Sequence, residues 1–263
     1  MFLSLLYVVV CGIALPIGGL QMQYLWRNQL GDIYSLGLGS AACLGAAFAT
    51  MSGLCSLTIG AFVCSLTMTL VAVLVSLKVS TQNLITFGIL FGTFIGSLST
   101  IVVTNAPDGE LLRKYYLWGA ASFDIQYVSR FDLFFSLVLF AVGIVAALGF
   151  ADKLNHHFQG VIELSNRVKS LVLLMIMFLV TSAISICGPI GFISLGVPNL
   201  SRIMCKSIDI RKHYIISSLL ATGLLAITYF VVRYANFGIY LPVSATMSLI
   251  ALPLMIVIFK KQN

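Results

Sequence analysis

Charged residues are scarce in this chain. Asp, Glu, Lys and Arg together make up 9% of the 263 residues, whereas hydrophobic residues make up 60% and the mean hydropathy is +1.06. Soluble domains carry about 25% charged and about 45–50% apolar residues. So few charges could not cover the apolar surface of a soluble fold of this length. The composition therefore excludes a water-soluble protein and indicates a chain whose solvent is lipid.

Motifs for cofactor and metal chemistry are missing too. The sequence has no G-x-x-x-x-G-K-[ST] phosphate-binding loop and no CxxC pair, and most of its six cysteines lie in apolar runs. His156 and His157 are adjacent, and adjacent side chains on a helix do not face one ligand point. We therefore expect no cofactor, no metal and no catalytic residue. This argues against an ATPase and against a membrane-embedded enzyme.

Long apolar runs predict the architecture. A helix needs about 20 residues to cross the roughly 30 Å hydrocarbon core. Runs such as 133–150 are unbroken rather than alternating, which favours helices over the strands of a membrane barrel. The prediction is an all-α, polytopic membrane helix bundle of about nine transmembrane helices, with residues 1–263 as a single domain. The predicted spans are 3–24, 33–51, 55–77, 84–104, 131–151, 170–187, a short one at 192–204, 214–235 and 243–259.

Lys and Arg are distributed unequally between alternate loops. Eleven lie on one side of the predicted spans and four on the other, which explains the net charge of +7 without nucleic acid. Cytoplasmic loops carry the excess. We therefore expect a cytoplasmic C-terminus and, with nine spans, an external Met1. The first segment lacks a positive n-region and a cleavage site, so we expect a missing upstream span rather than a signal peptide.

No predicted span has an acidic residue or a lysine at its centre. Proton-driven transporters usually place ionisable groups at mid-membrane. Energy for transport is therefore expected from elsewhere, such as a separate ATPase. Gly88, Gly92 and Gly96 form a stripe that predicts close helix packing, with the lining of a pathway or a dimer seam as the alternative.

Three stretches carry motifs of a known family. In residues 18–45 the spacing G-x-x-x-Q-x-x-x-R-N-P-L-A is matched, apart from the Pro and the Ala, by Gly19, Gln23, Arg27, Asn28 and Leu30. Residues 188–202, GPIGFISLGVPNLSR, are similar to A-G-x-I-G-F-I-G-L-V-x-P-H-I-x-R, and residues 241–252, LPVSATMSLIAL, to L-P-[IV]-G-x-x-T. In this order they resemble the FecCD/BtuC family of ABC permeases, whose first span and R-x-P-R segment have no counterpart here.

The resemblance implies a BtuC-like, type II ABC importer permease in the cell membrane, importing an iron(III)-siderophore or similar metal chelate. Its implied partners are cytoplasmic ATP-binding subunits, an extracellular substrate-binding lipoprotein, and a second permease copy or paralogue. Haem, cobalamin or an oxyanion are alternative cargoes. A stand-alone secondary transporter or channel, and a truncated inactive relative, are alternative functions.

The resemblance also implies a cytoplasmic gate. One side of it would be Asn28 and Leu30, and the other the turn formed by Ser80, Thr81 and Gln82. For the first side, a turn residue beside a topology charge is the alternative interpretation.

A second implied site is the ATPase coupling loop between the spans 131–151 and 170–187. Its candidate residues are Asn155, Phe158, Gln159, Gly160, Glu163 and Arg167. An ordinary solvated loop is the alternative. At the outer end of the span 214–235, the resemblance implies that Arg233 docks the binding protein. A snorkelling interfacial arginine is the alternative there.

Proline and glycine interrupt the chain after the span 170–187. Pro189, Gly191, Gly196 and Pro198 remove hydrogen bonds or helical preference in a short segment. Such breaks are tolerated in a membrane where protein or a cavity covers the backbone. We predict a short helix here that returns to the cytoplasmic side and supports the pathway.

Overall fold

The structure, a computed structural model, describes residues 2–121, 123, 128–234 and 241–260. This described part consists of ten α-helices, one short 3-10 turn at Ile33–Leu36 and connecting loops, without a strand. The predicted all-α class is therefore confirmed. The helices are α1 Phe2–Leu25, α2 Leu38–Ser52, α3 Leu57–Ser76, α4 Thr81–Thr104, α5 Gly109–Gly119, α6 Arg130–Phe158, α7 Asn166–Cys187, α8 Ile193–Met204, α9 Ile210–Tyr234 and α10 Val243–Lys260.

Within these ranges six helices, α1, α3, α4, α6, α7 and α9, are long and apolar enough to cross a membrane. Helix α2 and residues Val243–Pro253 are apolar but shorter. The predicted span 33–51 is divided at Gly37, whose φ of 73° ends the 3-10 turn before α2 begins. The membrane bundle is confirmed, and the count of nine spans stays a prediction.

Helices α1 and α7 form the centre of the bundle. In their most apolar windows 67% and 72% of residues are buried within the chain, against 22% in α4 and α6. Helix α1 packs on α6, α7, α8 and α9. Both central helices are apolar on nearly every face, as expected of helices surrounded by other helices.

Glycines set the closest approaches between helices. A side chain at Gly19 of α1 would collide with the backbone carbonyl of Ser194 in α8. One at Gly88 of α4 would collide with the carbonyl of Ser35, and one at Gly92 would lie 2.9 Å from the Cα of Gly37. The predicted close packing of the α4 stripe is thus confirmed for Gly88 and Gly92, against the segment that precedes and begins α2.

The predicted break after α7 is also confirmed. Gly188 ends the helix with a φ of 76°, and its Cα approaches the carbonyl of Trp118 so closely that a side chain would not fit. Phe192, with a φ of 73°, redirects the chain into α8. Helix α8 has 12 residues and includes Pro198. At ~1.5 Å per residue it is about 18 Å long, too short to cross the hydrocarbon core.

Candidate gate and coupling site

The loop after α1 turns tightly on itself. Arg27 has a φ of 49°, in the left-handed region that costs a non-glycine residue about 1–3 kcal/mol unless its surroundings hold it. The amide of Asn28 donates to the carbonyl of Gln23 over 3.0 Å, and the Asn28 side chain accepts from the amide of Leu30 over 2.9 Å. Leu30 is left 73% exposed. The predicted gate residue Asn28 thus shapes the turn, and Leu30 projects from it.

The second predicted gate segment opens α4. Ser80 caps this helix by accepting a hydrogen bond from the amide of Asn83 over 3.4 Å, and Gln82 is exposed. Thr81 begins α4, and its side chain lies outside the described residues. A cleft of about 430 Å³, lined by Leu25, Trp26 and Ser80, separates this turn from the end of α1. Of the predicted gate residues, Ser80 lines this cleft, whereas Asn28 and Leu30 are not among its lining residues.

Helix α4 carries an exposed row of hydroxyl groups that the sequence analysis missed. Its members Thr86, Thr93, Ser97, Thr100 and Thr104 are spaced by three, four or seven residues, so they share one helix face. Each hydroxyl donates to the carbonyl four residues earlier, at 2.9–3.1 Å. This row, hereafter the hydroxyl face, begins beside the candidate gate turn and runs the length of the helix. The spacing of these hydroxyl residues by three or four positions could have revealed the face from the sequence.

The candidate coupling loop is bound to the end of α1 through Arg27. The guanidinium donates to the carbonyls of His157 and Ile162, at 2.7 Å and 3.1 Å, and lies 2.5 Å from a carboxylate oxygen of Glu163. Lys169 of α7 is 3.8 Å from the same carboxylate. Arg27, for which a topology charge was the alternative interpretation from sequence, therefore joins two segments that are far apart in the chain.

The pKa of Glu163 is lowered in this arrangement. Desolvation alone raises the pKa of this carboxyl, but the hydrogen bond and charge of Arg27, with smaller contributions from His157 and Lys169, together outweigh it. The carboxylate is therefore ionised throughout the neutral range.

Two of the predicted coupling residues are used within the fold. The Asn155 side chain accepts from the amide of Ile210 over 2.8 Å and donates to Asp209 over 3.2 Å, so it fixes the start of α9. The Phe158 ring stacks on Tyr24 with 4.4 Å between centroids. The remaining four, Gln159, Gly160, Glu163 and Arg167, lie at the surface, although Glu163 is engaged as described.

The predicted docking residue lies at the other end of the bundle. Arg233 is exposed in the last turn of α9, and this 25-residue helix begins beside Asn155. A helix of this length spans about 37 Å. Arg233 and the coupling loop are therefore separated by about the thickness of a membrane.

A partly buried polar pair joins the loop after α1 to α8. The Ser194 hydroxyl donates to Asp32 over 2.5 Å, and the Asn199 amide donates to the carbonyl of Gln29 over 3.2 Å. Burial raises the pKa of Asp32, against the opposing hydrogen bonds from Ser194 and two backbone amides. The sequence offered no signal for this contact, since Ser194 and Asp32 are 162 residues apart in the chain.

Together these features define a polytopic membrane protein: apolar helices pack around a central pair, α4 leaves a face lined with hydroxyls open, and loops contact one another at one end. The chain belongs to the FecCD transport family, whose model matches residues 2–261. It is a permease of the ABC-transporter type, as the family resemblance of its three motifs predicted.

Several characterised and uncharacterised permeases are similar along most of the chain. The uncharacterized ABC transporter permease protein YvrB of Bacillus subtilis is 28% identical, covering 96% of this chain and 75% of the relative. The hemin transport system permease protein HmuU of Yersinia pestis is 31% identical over 75% of this chain and 63% of its own length. The Fe(3+) dicitrate transport system permease protein FecC of Escherichia coli is 26% identical, covering 98% of this chain and 81% of the relative.

Solved structures share the fold. A protein described as an inward-facing ABC transporter of the metal-chelate type superposes with a TM-score of 0.87 at 22% identity, over 99% of this chain and 85% of that one. PsaBC from Streptococcus pneumoniae, solved with a Fab, superposes with a TM-score of 0.69 at 15% identity, over 97% of this chain and 89% of that one. The BtuC-like helical architecture is confirmed.

Proposed function

We propose that residues 1–263 form one transmembrane permease domain of a binding-protein-dependent importer that carries an iron(III)-siderophore or a related metal chelate across the cytoplasmic membrane. Relatives named for hemin and for Fe(3+) dicitrate support a chelate cargo. Relatives named for cobalamin keep that cargo as the second candidate. The proposed orientation places the C-terminus and the Arg27 end of the bundle in the cytoplasm, in agreement with the excess of basic loop residues there.

The hydroxyl face of α4 is the observation that carries this proposal. Only 22% of the most apolar window of α4 is buried in the chain, so the face is open along the whole helix. Hydroxyls bonded to their own helix tolerate lipid, but their alignment on one face suits a wall in contact with water. One such wall cannot enclose a pathway, so we infer that a second permease copy or paralogue supplies the opposing wall.

Each end of this wall has its own role in the proposal. At the cytoplasmic end, Asn28 and Leu30 on one side and Ser80, Thr81 and Gln82 on the other form the gate. Leu30 in particular presents an exposed apolar side chain that a second copy can cover. At the external end, the exposed Arg233 pairs with a carboxylate of the binding protein, a contact that orients a partner well.

The energy source in this proposal is a pair of separate ATP-binding subunits. They would seat on the surface residues Gln159, Gly160, Glu163 and Arg167, while Asn155 and Phe158 hold this surface to α9 and α1. ATP shifts the permease between outward- and inward-open states only if the ATPase binds those states unequally. The permease itself then performs no chemistry.

Reconstitution in liposomes tests the proposal. The permease is co-expressed with candidate ATPase subunits and purified through a tag on the permease alone. We expect the ATPase to co-purify, and its ATP hydrolysis to rise when a chelate-loaded binding protein is added outside the liposome. Ferric siderophore, haem and cobalamin are compared as cargo, and Arg233→Glu serves as a docking-defective control. Uptake without any ATPase would instead support a secondary transporter and overturn the proposal.

A further inference from the structure

The segment 25–32, hereafter the gate loop, is anchored to the candidate coupling loop by one side chain. Four atoms of the coupling loop surround the Arg27 guanidinium: the carbonyls of His157 and Ile162, the Nδ1 of His157 at 3.1 Å and the carboxylate of Glu163. The ring Nε2 of His157 lies 3.2 Å from the carbonyl of Leu25, which adds a second contact between the segments. The coupling loop is thus folded around the Arg27 side chain.

The same residue also sets the course of the gate loop. Arg27 is directly followed by Asn28, and its left-handed φ of 49° starts the turn that projects Leu30. The amide of Arg27 donates to the carbonyl of Tyr24 over 3.3 Å, so the backbone here is tied to α1. The residue that contacts the coupling loop is therefore joined by one peptide bond to the predicted gate residue Asn28.

The contacts around Glu163 fit the geometry of an arginine side chain. The groups that face the carboxylate are Arg27, His157 and Lys169, from three different segments. A planar guanidinium can bind two carbonyls and a carboxylate together, whereas an ammonium group is a point charge with a different geometry. The ionised state of Glu163 at neutral pH, described above, keeps the pair intact in the cell.

We propose that Arg27 is a positioning residue that couples the two sites: when the ATPase moves the coupling loop, Arg27 carries the gate loop with it. This rests on the proposed function, because it needs an ATPase seated at residues 155–167. Arg27 itself touches neither ATP nor cargo in this scheme. Its role is to couple opening of the cytoplasmic gate to closure of the ATPase subunits.

Hydrogen–deuterium exchange on the purified permease–ATPase complex tests this directly. Exchange is measured in peptides covering 155–167 and 25–32, without nucleotide and with ADP and vanadate. In the wild type we expect nucleotide to change exchange in both segments. In Arg27→Ala we expect the change in 155–167 to remain and the change in 25–32 to be lost.

Matched variants separate coupling from simple loss of structure. Arg27→Lys keeps the charge but not the fork, so we expect an intermediate response. Glu163→Gln removes the ion pair but leaves both carbonyl acceptors, so its effect should be smaller than that of Arg27→Ala and non-additive with it. Lys206→Ala, which removes an exposed charge from the loop before α9, should behave as the wild type.

The outcomes are distinguishable. If nucleotide changes neither segment in the wild type, the proposed ATPase coupling itself fails. If it changes both segments equally in the wild type and in Arg27→Ala, the proposed function stands and the role of Arg27 is overturned. A uniform rise in exchange throughout Arg27→Ala without nucleotide would mean global unfolding; Arg27→Lys and Glu163→Gln would then decide, and wild-type responses in both would reject the inference.

Discussion

Helices α1 and α4 are similar in length and hydropathy but differ greatly in environment. Each is 24 residues long, and their apolar windows have similar hydropathies of 2.2 and 1.8. Yet 67% of the α1 window is buried in the chain, against 22% for α4. Hydropathy alone identifies both as membrane spans. The arrangement of small and hydroxyl residues shows which one is surrounded by its own chain and which one has a face left open.

The comparison predicts different responses to substitution. In α1 a change should act on stability, because the surrounding helices cannot move apart. On the open face of α4 a change should act on transport with little effect on stability. At the boundary, in the gate loop, the effect should be small and dependent on pH.

The largest expected effect is that of Gly19→Ala in α1. The added methyl group would meet the backbone carbonyl of Ser194, which cannot rotate away as a side chain can. Overpacking of this kind typically costs about 1–3 kcal/mol. We expect a lower melting temperature and yield in detergent, measured by fluorescence thermal unfolding.

The control is Gly149→Ala in α6, where an added methyl group meets nothing within 4 Å. This variant should unfold as the wild type does or slightly higher, because alanine favours helix. Equal destabilisation by both variants would contradict the close α1–α8 contact.

The second effect is expected on the hydroxyl face of α4. The triple variant Thr93→Val, Ser97→Ala and Thr100→Val removes the central hydroxyls at nearly constant volume. We expect chelate uptake in proteoliposomes to fall by about tenfold, equivalent to ~1.4 kcal/mol on the barrier, with an unchanged melting temperature.

Phe94→Leu, an exposed substitution beside this face, is the matched control. It should leave both uptake and stability near the wild-type values. Full transport by the triple variant would show that α4 faces lipid rather than the pathway.

The smallest effect is expected for Asp32→Asn in the gate loop. Burial raises the pKa of Asp32 in the folded state, so folding disfavours the ionised form. The folded state therefore loses stability as pH rises from the unfolded pKa of this carboxyl to its folded pKa. It regains that stability when the pH falls below the unfolded pKa. The amide introduced by this substitution cannot ionise, so we expect a slightly higher melting temperature for the variant at pH 7 and convergence with wild type near pH 4. A gap that stays constant with pH would contradict this.

The bundle could be predicted from sequence because lipid imposes long apolar helices, and because the break at Gly188 and Pro189 is a local property of those residues. The close packing of Gly88 and Gly92 was likewise visible as a stripe. The contacts that join the loops of the candidate site could not be predicted in this way. Arg27 and Glu163 are 136 positions apart, and spacing within a segment holds no information about such pairs.

Contacts between distant segments were also missed in the candidate coupling loop. Asn155 and Phe158 were selected from sequence as ATPase contacts, which stays a prediction, but their contacts with the start of α9 and with Tyr24 were not foreseen. Whether a polar or aromatic residue at a helix end faces a partner or its own chain depends on the neighbouring helices. The hydroxyl face of α4, by contrast, depends only on helical spacing, so it could have been found.

The most direct test of the account is a cysteine-accessibility scan along α4. In a background without the six native cysteines, single cysteines at 86, 93, 97, 100 and 104 and, for comparison, at 98 and 102 on another side of the helix are treated with a charged, membrane-impermeant thiol reagent in the assembled transporter. The account predicts that the first set reacts, that the second does not, and that reactivity changes when nucleotide switches the transporter between states. Equal reactivity in both sets, or none in the first, would contradict a water-filled pathway along this helix.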